Sequence, residues 1–289
     1  MRDYAITTDS SCDFDQALAD SLGVTVVPLS VQIGPRRFRN APGEAMDSHS
    51  FYQLLSQGEL AQTSAPNVEE FKAVWRPILQ SGRDLLYLGF SSGLSGTYHN
   101  AAIAAEDLRE EFPEARIITV DTLCASLGQG MLVDLTVQEK RQGKTLDEAA
   151  AFAEKNRLHL CHWFTVGDLS QLRRGGRLSA GKAIVGNLLN IKPVLHVDDE
   201  GHLVPMASAK GRKKSIEALV SHMEESAVAP EQQHVYISHG DCLADAELLA
   251  QMVRDRLHVS SVTIGDVGPV IGAHSGAGTL ALFFVGTHR

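Results

Sequence analysis

The chain has 289 residues, 44% of them hydrophobic and 21% charged, a balance that suits a soluble globular protein with one large core or two. Its net charge of −9 lacks the concentrated Lys and Arg that a nucleic-acid surface, or an electrostatic grip on an anionic membrane, requires. No run approaches the roughly 20 apolar residues of a membrane-spanning helix.

The N-terminus enters a strand-like run at residues 4–8 with no signal-peptide core, and 13–22 follows with helical spacing. Residues 24–33 are rich in β-branched side chains and end at Gly34-Pro35, which predicts a strand turning back through 36–40. Helices are expected at 47–56 and 67–80, the second opened by Asn67 three residues before Glu70. A strand at 84–90, a helix at 95–112 and a strand at 115–121 come next. Ala101, Ala105, Leu108 and Phe112 form an apolar stripe on that helix. Two helices, 127–141 and 145–156, meet at Gly143.

The second half restarts with a strand at 158–166 and helical stretches at 168–173 and 179–189. Ile191–Val197 and 202–207 read as a hairpin, followed by helices at 213–225 and 243–257 and strands at 234–238 and 259–264. A glycine-rich turn over 272–278 leads to a last strand at 280–285. This alternation predicts an α/β protein: two α/β domains, 1–157 and 158–289, with largely parallel sheets flanked by helices.

Cys12, Cys124, Cys161 and Cys242 form no C-x-x-C and are too dispersed for a zinc site, so reduced thiols in a cytoplasmic protein are expected. Gly176-Arg177-Leu178-Ser179-Ala180-Gly181-Lys182-Ala183 approaches a P-loop, but Ala183 stands where a magnesium-binding hydroxyl belongs and no strand precedes it. Gly276-Ala277-Gly278 precedes a strand instead of opening a helix, against the dinucleotide-binding pattern. Gly89-Phe90-Ser91-Ser92-Gly93 fits a G-x-S-x-G nucleophile elbow. It keeps open a serine esterase or lipase-like alternative, using Ser91 or Ser95 with His274.

Three polar turns account for more residues. Leu94-Ser95-Gly96-Thr97 opens a helix after a strand, where backbone N–H groups and the dipole favour an anion. Ser95 can cap that helix or donate its hydroxyl to a carboxylate, and Gly96 lets a ligand approach the backbone. Thr63-Ser64-Ala65-Pro66 offers further hydroxyls, and Gly272-Ala273-His274-Ser275-Gly276 places a histidine in a setting that packing explains poorly.

Together with Ile6-Thr7-Thr8-Asp9-Ser10 and Leu172-Arg173-Arg174-Gly175-Gly176-Arg177, these turns occur in the order found in the DegV family. Over essentially its whole length the chain resembles that family's fatty-acid-binding members, the FakB-type subunits of bacterial fatty acid kinase. The resemblance implies two α/β domains, a buried acyl chain and a carboxylate held by Thr63, Ser95 and His274, with Ser64, Gly96 and Ser275 as additional contacts. It implies an ATP-dependent kinase subunit as partner, docking at Arg173, Arg174 and Arg177, with an acyl-phosphate product feeding phospholipid synthesis. On this reading the protein is a lipid carrier that is non-catalytic alone, with no cofactor, no metal, no nucleic-acid partner and no integral membrane association. The chain departs from the family pattern at Ser10-Ser11-Cys12, Asn67 and His99, none of which is an expected hydroxyl donor.

Overall fold

The computed structural model describes residues 2–44, 46–167, 169–178 and 190–289. The helix expected over 179–189, the Gly181-Lys182-Ala183 part of the P-loop-like motif and Asp168 lie outside them.

Strand β1 (Tyr4–Asp9) is buried along its length and runs into a single 3-10 turn. Asp13 adopts a left-handed conformation there, so helix α1 (Gln16–Leu22) starts later than its apolar spacing suggests, capped by Asp15. The β-rich run after Gly23 breaks at Pro28, which lacks the N–H to continue a ladder. It becomes two strands in different sheets, β2 (Thr25–Val27) and β3 (Ser30–Ile33). Strand β4 (Arg36–Arg39) turns back against β3 as expected. Helix α2 (Ser48–Ser56) is capped by Asp47, and β5 (Ala61–Ser64) shows that Thr63 and Ser64 belong to a strand, not a turn.

Helix α3 (Val68–Gln80) carries a complete capping box between Asn67 and Glu70. Strand β6 (Asp84–Gly89), helix α4 (Thr97–Glu111), strand β7 (Ile117–Asp121), and helices α5 (Ser126–Arg141) and α6 (Leu146–Asn156) follow the predicted order. In the second half come β8 (Leu160–Thr165), the short α7 (Ser170–Arg174), β9 (Ile191–Val197), β10 (Leu203–Lys210) and α8 (Arg212–Ser226). The chain closes with β11 (His234–His239), α9 (Leu243–Leu257), β12 (Ser261–Asp266), α10 (Pro269–Ser275) and β13 (Leu280–Val285). The glycine-rich segment expected to be a turn is largely α10. Pro269 starts this helix and Gly276, at φ 80°, ends it.

The α/β class holds in both halves, with different sheets. The first sheet, β2-β1-β6-β7, is wholly parallel. The second, β10-β9-β8-β13-β11-β12, has one parallel pair, β11 with β12, and is otherwise antiparallel. The expectation of largely parallel strands therefore fails there. The β9–β10 hairpin supplies one antiparallel edge, and the return of β13 between β8 and β11 reverses the middle. A third, antiparallel sheet, β4-β3-β5, packs with α2 and α10 around Phe51, Tyr52 and Val270.

Helices α3 and α4 cover the outer face of the first sheet, and α8 and α9 the outer face of the second. Between the sheets lie α5 and α6, and one buried cluster joins Ile6 and Leu88 of the first sheet to Phe164 and Phe283 of the second. Helix α5 can sit this close because it carries glycine where it meets aromatic rings. A Cβ at Gly130 would lie 2.5 Å from the Phe14 ring, and one at Gly128 2.2 Å from His162 Nε2. Its first turn therefore borders the inner face of the second sheet, where the cavity opens.

Candidate functional site

A cavity of about 220 Å³ lies between the inner face of the second sheet, the start of α5, the loop after β6, strand β5 and helix α10. Its wall is mostly apolar, with Phe164, Ala281 and Phe283 from the sheet, Leu94 from the loop, and Val270 and Ile271 from α10. One group of polar atoms gathers at its rim. Packing of α10 against β5 brings His274 to Thr63, with Thr63 Oγ1 2.8 Å from His274 Nε2. Burial, and then the nearby Arg177 guanidinium, hold the His274 pKa down at about 4, so the ring is neutral near pH 7.

Arg177 donates from Nε to the Leu94 carbonyl at 3.3 Å and from Nη1 to the Gly175 carbonyl, tying the end of α7 to the loop before α4. Gly175 is pressed against the histidine, and a Cβ there would stand 2.5 Å from His274 Nδ1. Ser95 does not cap α4. Gly96 occupies that position, and Ser95 Oγ accepts the Thr97 N–H at 3.2 Å while lying 2.8 Å from Thr97 Oγ1. Asp9 anchors the start of the same loop: its buried carboxylate accepts from the Tyr87 hydroxyl at 2.7 Å and from the Phe90 N–H at 2.9 Å.

The structure leaves the nucleophile elbow unassembled. Ser91 is fully buried, donates to the Gly201 carbonyl at 2.8 Å and accepts the Gly93 N–H, which locks it against the β9–β10 turn. Ser95 is engaged with Thr97 and His274 with Thr63, so neither Ser91 nor Ser95 pairs with His274.

The sequence profile of the family described as an uncharacterised protein of the DegV family matches residues 3–287. The chain belongs to the DegV family. It is 42% identical over 286 residues to a DegV domain-containing protein of Clostridium perfringens, spanning 99% of this chain and 98% of that one. Among solved structures it matches a DegV family protein from Thermus thermophilus, described as fatty acid binding, with a TM-score of 0.87 and 32% identity over 99% and 100% of the two chains. DegV from Bacillus subtilis, described as a fatty acid binding protein, gives a TM-score of 0.85 and 26% identity over 99% and 100%.

In this DegV family member the residues named from sequence divide into two groups. Thr63, Ser95, Gly96, His274, Ser275 and Arg177 all border the cavity. Ser64 is exposed on β5 and does not, as strand alternation from Thr63 requires. Ser275 reaches the wall, but its Oγ is buried without a hydrogen-bond partner among the described residues. Arg173 and Arg174 are exposed on α7, whereas Arg177 is part of the cavity rim, not a free surface charge.

Sequence reasoning missed a second polar element. Asp13, partly buried, accepts from Ser126 Oγ at 2.5 Å and from the Gly268 N–H at 3.1 Å, and Ser126 Oγ lies 3.1 Å from Ser238 Oγ. Both serines border the cavity. His162 also borders it and is pushed down to about 3 by burial. Its Nδ1 pairs with the Leu160 carbonyl, and its Nε2 accepts the Ala125 N–H. Nothing local in the sequence joins Asp13, Ser126 and Ser238, which lie more than a hundred residues apart. Among the described residues no helix is long and apolar enough to cross a membrane, and no cluster of His, Cys, Asp and Glu is arranged to hold a metal ion.

Proposed function

We propose that the chain binds a long-chain fatty acid, with the acyl chain in the apolar cavity and the carboxylate at Thr63, Ser95 and His274, and presents that carboxylate to an ATP-dependent kinase subunit. The observation that carries this reading is the Thr63–His274 pair on the rim of a mostly apolar cavity. The fatty acid binding described for the relatives from T. thermophilus and B. subtilis supports it.

Burying about 14 to 16 methylenes at roughly 0.8 kcal/mol each supplies on the order of 11 to 13 kcal/mol before the costs of association. A carboxylate at the end of such a chain needs donors once it leaves water. Neutral His274 can donate from Nε2 to Thr63 Oγ1, which frees the Thr63 hydroxyl proton to point at a carboxylate oxygen. Arg177 contributes positive charge from the rim without a direct ion pair. A carboxylate held by hydroxyls keeps an oxygen available as a nucleophile toward a phosphoryl donor.

Removing either hydroxyl deletes one hydrogen bond to a charged group, worth about 1.5–3 kcal/mol. Thr63→Ala and Ser95→Ala are therefore expected to weaken fatty-acid affinity by at least tenfold each, measured by displacement of a fluorescent fatty acid from delipidated protein. Wild-type affinity in the double variant would remove both residues from the site.

Arg173 and Arg174, exposed on α7, are the charges beside the rim that can meet a partner. Arginine pairs with carboxylate or phosphate groups in two-point contacts, and exposed charges act mainly on association rate. Arg173→Glu and Arg174→Glu are expected to leave fatty-acid content and thermal stability unchanged. Kinase-dependent acyl-phosphate formation should then need more of this protein, with the defect growing as salt is raised. A wild-type titration against a fixed amount of kinase subunit for both variants would assign these arginines to solvation alone.

A further inference from the structure

We infer that Ser126, backed by Ser238 and Asp13, is a specificity-determining hydroxyl in the cavity wall that selects acyl chains carrying a hydroxyl near mid-chain. The inference rests on the fatty-acid reading above and deepens it. Asp13 bridges two elements: one carboxyl oxygen accepts the Gly268 N–H at the start of α10, and the other accepts from Ser126 Oγ at 2.5 Å. His274, at the other end of α10, lies six residues beyond Gly268. At about 1.5 Å of rise per residue the two ends of α10 stand roughly 9 Å apart. Asp13 thereby ties the Ser126 hydroxyl to the end of α10 remote from His274, the position we assign to the middle of a long chain.

The other polar side chains on that stretch of wall are already engaged. His162 uses both ring nitrogens, and Thr279 Oγ1 donates to the Gly276 carbonyl at 2.7 Å. Ser238 is fully buried and reaches Ser126 at 3.1 Å. Ser126 retains slight exposure. A serine hydroxyl has one proton and two lone pairs, and Asp13 and Ser238 occupy two of those three positions. The third faces an apolar cavity, where a methylene gives it nothing. A ligand hydroxyl both donates and accepts, so it matches Ser126 whichever way the protons are ordered along Asp13, Ser126 and Ser238. A double bond offers only its π face, a much weaker acceptor.

The test uses delipidated full-length protein and three probes: stearate, stearate with a mid-chain hydroxyl, and stearate hydroxylated at its methyl end. Affinities are measured by calorimetry on wild type, Ser126→Ala and Ser126→Cys, the cysteine keeping the shape if alanine fails to fold. The mid-chain hydroxyl is expected to bind the wild type about five- to tenfold tighter than the terminal one, and the ratio of the two affinities should fall to about one in both variants. Stearate binding with no mid-chain preference, or a preference that survives both variants, overturns the inference and leaves the fatty-acid reading standing. Failure of all three probes to bind overturns both.

Discussion

Gly128→Ala is expected to destabilise the protein, although alanine is the better helix former. The helix-propensity gain at this first-turn position of α5 is at most about 1 kcal/mol. Against it, the added methyl would lie 2.2 Å from His162 Nε2, 2.6 Å from its Cδ2 and 2.7 Å from Phe283 Cδ1. These rings cannot swing aside, since both are buried and His162 is held through Nδ1 to the Leu160 carbonyl at 2.8 Å. Overpacking of this kind costs about 1–3 kcal/mol or more, so the steric effect outweighs the propensity gain. Urea denaturation should show a lower midpoint with an unchanged slope. Gly96→Ala is the control, because a Cβ there has open space around it. Wild-type or greater stability for Gly128→Ala would show that α5 and the second sheet are not in the close contact described.

The second large effect concerns pH. Burial raises the Asp13 pKa to about 8, against the opposing pull of the Ser126 hydroxyl and the Gly268 N–H. Its folded value lies above its unfolded value of 3.8, so the folded state holds the extra proton between about pH 4 and pH 8. The stability linked to that proton is fully present below the window, declines as pH rises through it, and changes no further above it. The slope from this one group is up to about 1.4 kcal/mol per pH unit. Asn imitates the protonated acid: its oxygen can accept the Gly268 N–H and its amide can donate to Ser126. Asp13→Asn is therefore expected to match wild type below about pH 4 and to exceed it by a margin that grows up to about pH 8, in denaturation measured across that range. Parallel pH profiles for the two proteins would show that Asp13 does not titrate in the window.

Local signals made much of the fold legible. The alternation of strand and helix, the Asn67–Glu70 capping box and the buried stripe of Ala101, Ala105 and Leu108 were all readable, because each depends on neighbours within a turn or two. The strand directions of the second sheet were not, since a return such as β13 between β8 and β11 is set by tertiary pairing. Glycine composition hid α10, whose helical state depends on packing against α2, α7 and β5. At the site, Thr63 and His274 were named separately, but their contact depends on that same packing. Ser91 misled for the converse reason. Its motif was local, and the carbonyl that occupies it comes from Gly201, 110 residues away.

The most direct measurement is mass spectrometry of the solvent extract of denatured, purified protein. The account predicts a fatty acid of about 14 to 18 carbons at close to one per chain, since a cavity this apolar holds its ligand through purification. A lipid-free extract, from protein that also fails to take up added fatty acid, would contradict it.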